Sequence, residues 1–343
     1  MKRHHNTLYV TTQGAYLASE GETVVMRVEQ EARAQFPLHM LEGIICFGRV
    51  SASPALMRSC SERGVGISFL SEHGRFLARV QGPVSGNVLL RREQYRKSDD
   101  KDFSARLASS FVTAKIANSR TVLLRIARDH AESAGAGVLK DAADLLAGSL
   151  AAIASELPLE TVRGVEGDAA RTYFEVFDHL IVAQKEDFAF RGRNRRPPTD
   201  NVNALLSFVY TLLTHDAASA LEGVGLDPQV GFLHRDRPGR PGLALDLIEE
   251  FRPVIADRLV LSLINRRQLA GGGFVHTETG GVVMDDATRK AVLVAYQERK
   301  QEEIRHPFLG EDTTMGMLVH LQALLLARFL RGDLDGYPAF IWR

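Results

Sequence analysis

Residues 8–81 alternate short runs rich in Val, Ile, Tyr and Phe with turn residues: LYVTT, AYLASE, TVVMRVE, RAQFPL, LEGIICF, VGISFL and RFLARVQ. Runs this short, punctuated by Gly21 and the EHG triplet at 72–74, predict about seven strands. ASPALMRSCSERG at 52–64 interrupts them as one helix. Past Gly82 and Pro83 the pattern changes, because NVLLRREQYR and residues 103–132 and 137–156 carry apolar positions at helical spacing. The boundary falls near Ser85. From there to Leu330 the pattern predicts nearly continuous helix, broken by loops at 98–102, 190–201, 235–242 and 269–281. The last long helix, 315–330, is apolar almost all round and stops at Gly332. The expected fold is α+β: a β-rich N-terminal domain over 1–84 and a larger, all-α C-terminal domain over 85–343.

Chemistry concentrates in GFLHRDRPGRPGLALDLIEEFRP, residues 231–253. Two prolines and two glycines between His234 and Leu243 prevent a regular element from crossing, so His234 and the helical run after Gly242 lie on different elements. Leu243, Leu247, Ile248 and Phe251 then recur at helical spacing until Pro253 stops or kinks the run. Asp246 and Glu249, three apart, share one face of that helix, within reach of a common ion. A carboxylate bordering the apolar stripe needs a metal or an arginine, and pairing with Arg252 or Arg240 would serve equally.

With 343 residues, 45% hydrophobic, the chain can bury two cores. Lys+Arg and Asp+Glu are both 42, so a nucleic-acid surface requires local segregation of charge. Cys46 and Cys60 lack CxxC spacing, which argues against a zinc ribbon or thiol redox site and fits a reducing cytoplasm. No signal-peptide core and no apolar run long enough to span a bilayer stand out. The expectation is a soluble, cytoplasmic protein.

Glu166 lies among small residues, Gly164, Gly167, Ala169 and Ala170, which would admit another backbone or a ligand. Alone it reads as a surface or capping glutamate, and His234 alone as a structural histidine. Taken as a set, three acids and one imidazole make a mixed oxygen and nitrogen shell suited to Mg²⁺ or Mn²⁺. HExxH, GxSxG, P-loop and dinucleotide fingerprints are absent. Arg191, Arg193, Arg195 and Arg196 crowd six positions, and Arg235, Arg237 and Arg240 follow His234. They are either phosphate contacts or a solvated, mobile surface.

These segments resemble the CRISPR-associated integrases, the Cas-one proteins. VEGDAARTYF is similar to the family's glutamate motif, GFLHRDRPGRPGLALDLIEEFRP to its histidine and acidic-helix motifs, and NVNALLSFVYTLL to the helix between them. SPALMRSCSERGVGISFL and GNVLLRREQYR resemble its N-terminal and junction segments, while GRNRRPPTDNVNALLSF and RGDLDGYPAFIWR look most like the type I-C branch. The resemblance implies a homodimer whose N-terminal domain serves dimerisation and partner contacts, and a catalytic helical domain. It implies Glu166, His234 and Glu249 as metal ligands and Asp246 as a neighbouring catalytic acid. Glutamate at 249 stands where other branches often carry aspartate. The implied partners are double-stranded DNA (foreign fragment and CRISPR repeat), a small ferredoxin-like Cas-two protein and, in systems of that branch, an iron-sulfur exonuclease.

The implied reaction is transesterification, in which a 3′-hydroxyl of a foreign fragment attacks a phosphodiester at the end of a repeat. Water in place of the hydroxyl would make the same site a stand-alone nuclease. A non-catalytic DNA-binding scaffold, its acids merely paired to arginines, is the alternative from another class. If the carboxylates only repel one another without an ion, replacing a ligand by Ala should leave melting near or above that of the metal-free protein.

Overall fold

The computed structural model describes residues 6–72, 74, 76–80, 82 and 88–342. The boundary expected near Ser85, and His73 of the EHG turn, lie outside the described residues. The chain forms two compact units, one taking residues up to Ser85 together with Met284–Glu298, the other Gly86–Val283 and Arg299–Arg343.

All seven expected strands form, as β1 (Asn6–Val10), β2 (Tyr16–Glu20), β3 (Thr23–Val28), β4 (Glu31–Pro37), β5 (Leu41–Phe47), β7 (Gly66–Leu70) and β8 (Phe76–Val80), and a two-residue β6 (Ser51–Ala52) is added to them. They make two four-stranded sheets, β1-β5-β7-β8 and β4-β3-β2-β6. β5 pairs in parallel with β1 and β7, whereas β2, β3 and β4 run antiparallel. The interrupting helix, α1 (Pro54–Glu62), starts at Ser53, whose hydroxyl caps the Leu56 N–H, with Pro54 in the first turn. Its Leu56 and Cys60 join Leu17, Val24, Ile44, Cys46 and Ile67 in one apolar core. Both cysteines are free and buried there, and burial pushes the thiols up, Cys46 to about 12 and Cys60 to about 11.

The second unit contains α2 (Val88–Asp99), α3 (Lys101–Asp129), α4 (Gly135–Ile153), α5 (Leu159–Glu175), α6 (Asn201–Gly223), α7 (Gly242–Ile248) and α8 (Arg258–Asn265). α3 begins where the Asp100 carboxylate accepts from the N–H groups of Asp102 and Phe103, at 2.9 and 3.0 Å. Asp200 caps α6 in the same way, through Asn203 N–H at 2.8 Å. α6 is the one segment among the described residues with the length and apolarity of a membrane span, contrary to the expectation of none. Its 18-residue apolar window is 61% buried inside the protein, which makes it a core helix packed on several sides.

The helical part is also not all-α. β9 (Phe274–His276), inside the expected loop at 269–281, pairs with β10 (Val282–Met284) just beyond it, and a second hairpin joins β11 (Glu303–Arg305) and β12 (Asp312–Thr314) on either side of a turn. Three-residue strands carry too little periodicity to be seen in sequence. Between the hairpins runs α9 (Asp286–Gln301), most of which belongs to the first unit, where Gln297 donates to the Thr7 carbonyl at 2.8 Å. A single cut near Ser85 leaves this helix with the other domain. The last helix, α10 (Met315–Arg331), ends at Gly332 with φ 85°, the left-handed stop expected from its sequence.

Candidate metal centre and basic cleft

The site is built on the folding back of residues 228–252. Gly242 N–H donates to the Gln229 carbonyl at 3.1 Å, and the backbones of Gly231 and Gly242 touch. A Cβ at Gly231 would come within 2.8 Å of both the Gly242 carbonyl carbon and Asp246 Oδ2, so only glycine admits this approach. The reward is a grip by Asp246, which is fully buried on α7. Its Oδ2 accepts from the N–H groups of Phe232 and Leu233 at 2.6 and 3.0 Å, and its Oδ1 from His234 N–H at 2.9 Å. The His234 ring adds Nδ1 at 2.6 Å from Oδ1. Because an ionised carboxylate only accepts, Nδ1 carries the hydrogen, which leaves Nε2 as the ring atom available to a cation.

That Nε2 lies 3.9 Å from Glu249 Oε1. α7 ends at Ile248, so Glu249 sits on the turn beyond it, before a π-helical stretch at Arg252–Asp257 that carries Pro253. Glu249 is 1% exposed and meets Arg252 Nη1 at 2.7 Å and Lys115 Nζ at 2.7 Å. Lys115, projecting from α3, also binds Glu166 on α5. Burial opposes the charge of Glu249, but Arg252, Lys115 and His234 outweigh it and lower its carboxyl to about 2. Burial likewise opposes the Lys115 ammonium, whose pKa is nevertheless raised by Glu249 and Glu166.

Glu166 and Glu249, from separate segments, thus meet on Lys115, and His234 from a third stands 3.9 Å from Glu249. Among the described residues no three acidic, histidine or cysteine side chains close into a ready ion cage. Instead the Lys115 ammonium stands between the two carboxylates. The set suits a hard divalent cation: two carboxylates, one imidazole nitrogen, and a buried Glu249 Oε2 that meets Lys115 without a well-angled hydrogen bond. No other backbone approaches Gly164 or Gly167, since a Cβ on either would face open space, so of the two readings from sequence only room for a ligand stands there. Ala169 and Ala170 do line the cleft beside Glu166.

This cleft, about 770 Å³, also receives Arg191, Arg193, Arg195, Arg196, Arg252 and Tyr210. The arginine loop is anchored rather than loose: buried Asn203 accepts from Asn194 N–H at 3.0 Å and donates to the Gly192 carbonyl at 2.8 Å. Arg193 is half-buried and tied to Asn203 Oδ1 at 2.6 Å and Ser207 Oγ at 3.2 Å. The guanidinium groups of Arg193 and Arg252 both lie over the Tyr210 ring, at 5.3 and 5.0 Å. Tyr210 and Tyr173 donate to Asp257 at 2.6 and 3.1 Å, and burial still pushes that carboxyl up to about 6.

Arg191, Arg195 and Arg196 are exposed. Arg240 is half-buried, and its pKa is lowered by burial and by the like charges of Arg237, Arg195 and Arg196. The two arginine clusters therefore share one field. Arg235 points elsewhere, pairing with Glu160 at 2.6 Å.

Sequence reasoning missed Lys115, Tyr210, Tyr173 and Asp257. For Lys115 a signal existed: it falls among Ala108, Phe111, Val112, Ser119 and Val122 on the buried face of α3, where a lysine needs a partner.

A sheet domain and a helical domain, the latter holding carboxylates and an imidazole beside an arginine-lined cleft, set the frame for comparison. A family model described as CRISPR associated protein Cas1 matches residues 8–298. The chain belongs to this family. CRISPR-associated endonuclease Cas1 1 of Chlorobaculum tepidum is 57% identical over 343 residues, covering 100% of both chains. CRISPR-associated endonuclease Cas1 2 of Rhodospirillum rubrum is 52% identical over 347 residues, again covering 100% of both. A Cas4 exonuclease/Cas1 endonuclease fusion of Geobacter sulfurreducens is 37% identical over 341 residues, covering 98% of this chain and 60% of the fusion. Among solved structures, a casposase bound to integration product superposes with a TM-score of 0.83 at 23% identity, covering 98% of this chain and 94% of that one. At that identity the likeness is one of fold.

Proposed function

We propose that the protein is a metal-dependent DNA integrase and endonuclease of CRISPR spacer acquisition, joining 3′-hydroxyl ends of foreign DNA fragments to a CRISPR repeat by transesterification. The observation that carries this reading is the meeting of Glu166 and Glu249 on one cation, the Lys115 ammonium, with His234 Nε2 3.9 Å from Glu249, at the edge of an arginine-lined cleft. Those three side chains would hold Mg²⁺ or Mn²⁺, which supplies Lewis-acid polarisation of the scissile phosphate. Asp246 acts through His234, fixing the tautomer that presents Nε2. Arg191, Arg195, Arg196, Arg237 and Arg240 hold phosphates, and Arg193 stiffens the loop that presents them. Lys115 and Arg252 keep Glu249 ionised, and Lys115 holds Glu166 in place.

In this reading, supported by the resemblance to the type I-C branch, the protein works in the cytoplasm as a homodimer on double-stranded DNA. Its partner is the small ferredoxin-like Cas2, and the natural fusion of a relative to a Cas4 exonuclease supports such a trimming enzyme as a further one. The test is strand transfer with purified protein and partner, using fragments ending in 3′-hydroxyl or in a 3′-deoxy sugar. Joining that requires the hydroxyl and Mg²⁺ or Mn²⁺, and is lost in Glu166→Gln, His234→Ala and Glu249→Gln, supports the proposal. Metal-dependent hydrolysis with no joining would leave a stand-alone nuclease. Specific DNA binding without either reaction would leave a scaffold.

A further inference from the structure

Glu249 meets Lys115 and Arg252, while the next residue is gripped by the C-terminal segment. Glu250 is fully buried, and its carboxylate accepts from the Tyr337 hydroxyl at 2.5 Å, Phe340 N–H at 2.6 Å and the Gln322 amide at 2.9 Å. Asn118, one turn along α3 from Lys115, ties the same strands of chain together. Its amide donates to the carbonyls of Glu250 and Phe340, at 2.7 and 2.9 Å, and its Oδ1 accepts from Trp342 N–H at 2.7 Å. The Trp342 ring in turn stacks against Arg125 and Arg258, with guanidinium carbons 3.7 and 4.2 Å from its centroid.

We propose that residues 337–342 form a strap that positions Glu249 for ion binding, with Tyr337 and Trp342 as positioning residues. The proposal rests on Glu166, His234 and Glu249 being the ion's ligands. The physical need for a strap lies in the backbone. Glu249 and Glu250 sit between the end of α7 and the π-helical stretch, where Glu249 N–H reaches Asp246 O at 3.2 Å and Phe251 N–H reaches Ile248 O at 2.9 Å. These are three-residue bonds of the kind that fray at helix ends, so regular helix geometry does not fix this turn. What fixes it is the grip on Glu250 from the strap, closed by Asn118 on the helix that also carries Lys115. Binding at Glu249 and docking of the strap are then coupled, and by linkage each must favour the other.

Trp342 is the sole tryptophan of the chain, so its emission reports on the strap directly. Titrating the full-length protein with Mg²⁺ should change that emission along a saturating curve, and His234→Ala should abolish the change. Mn²⁺ binding, measured by electron paramagnetic resonance at a temperature where each protein is folded, should weaken about three- to tenfold in Tyr337→Phe and in Trp342→Leu, below or at the lower range for groups supporting a metal site. A strap that only completes the core would lower the melting temperature in these variants, leave the Mn²⁺ affinity within twofold of wild type and leave the emission flat; that result overturns the proposal. Failure of the wild type to bind either ion saturably is a distinct outcome, and it removes the ligand assignment together with the strap.

Discussion

His234 Nδ1 lies 2.6 Å from Asp246 Oδ1, and the same carboxylate takes three backbone N–H groups from Phe232, Leu233 and His234. Asp246 is therefore both the brace of the turn and the partner of the ring. Asp246→Ala should leave two buried donors and one part-buried donor short of an acceptor, each buried one costing about 1–3 kcal/mol. The amide of Asp246→Asn should retain part of the brace but present N–H groups to donors. Both variants should bind Mn²⁺ at least about tenfold more weakly than wild type. Calorimetric melting and Mn²⁺ titration together check this; unchanged affinity in Asp246→Ala would detach Asp246 from the role of His234.

Lys115 changes what loss of a ligand should do to stability. The carboxylates do not merely repel one another in the metal-free protein, because Lys115 and Arg252 are paired to them. Replacing Glu249 leaves half-buried Arg252 without its carboxylate and buried Lys115 with Glu166 alone, so Glu249→Ala should melt below the metal-free wild type, by up to about the 3–5 kcal/mol of a broken buried pair. The expectation drawn from sequence had the opposite sign. Lys115→Met should also destabilise the metal-free protein, and Mn²⁺ should raise its melting temperature more than it raises that of wild type, since the ion replaces the missing charge. Equal gains in both proteins would count against a shared position.

The arginines divide by their contacts. Arg195→Gln, Arg196→Gln, Arg237→Gln and Arg240→Gln should each reduce the log-log salt slope of duplex binding by up to about 0.9. Arg193→Gln should instead loosen the loop, because it breaks bonds to Asn203 and Ser207. A fluorescence-anisotropy salt series, with melting curves for each variant, separates the two kinds. A slope that stays the same in the fourfold variant would return these arginines to a solvated surface.

Asp257 makes stability depend on pH in a defined direction. Its carboxyl titrates at about 6 in the folded protein, against an ordinary value of 3.8. A raised carboxyl favours folding when protonated: its contribution is fully present below pH 3.8, falls as pH rises, and is gone above about 6. The span corresponds to a few kcal/mol in order of magnitude. Asp257→Asn, whose amide can meet both tyrosine hydroxyls, should therefore gain stability relative to wild type as pH is raised from about 4 to about 6.5. Denaturant melts at a series of pH values would show this; a constant difference across the window would contradict it.

Local rules determined much of this protein. Branched residues between turns gave β1 to β5, β7 and β8, helical spacing and caps gave the long helices, and the prolines and glycines after His234 separated that residue from α7. The candidate ligands Glu166, His234 and Glu249 were legible only as a set and through the resemblance of their segments to a family's motifs, since alone Glu166 reads as a surface glutamate and His234 as a structural histidine. Only the tertiary structure decided what holds them. Lys115 is 51 residues from Glu166, and Tyr337 is 87 from Glu250. Periodicity is read over a turn or two of helix, so it cannot register partners that distant. The same limit hid the three-residue hairpins and the packing of α9 with the sheets. Which carboxylate braces a turn, which faces a cation and which holds the C-terminal segment depends on the packing of α3, α5, α7 and α10. No window along the chain contains all four.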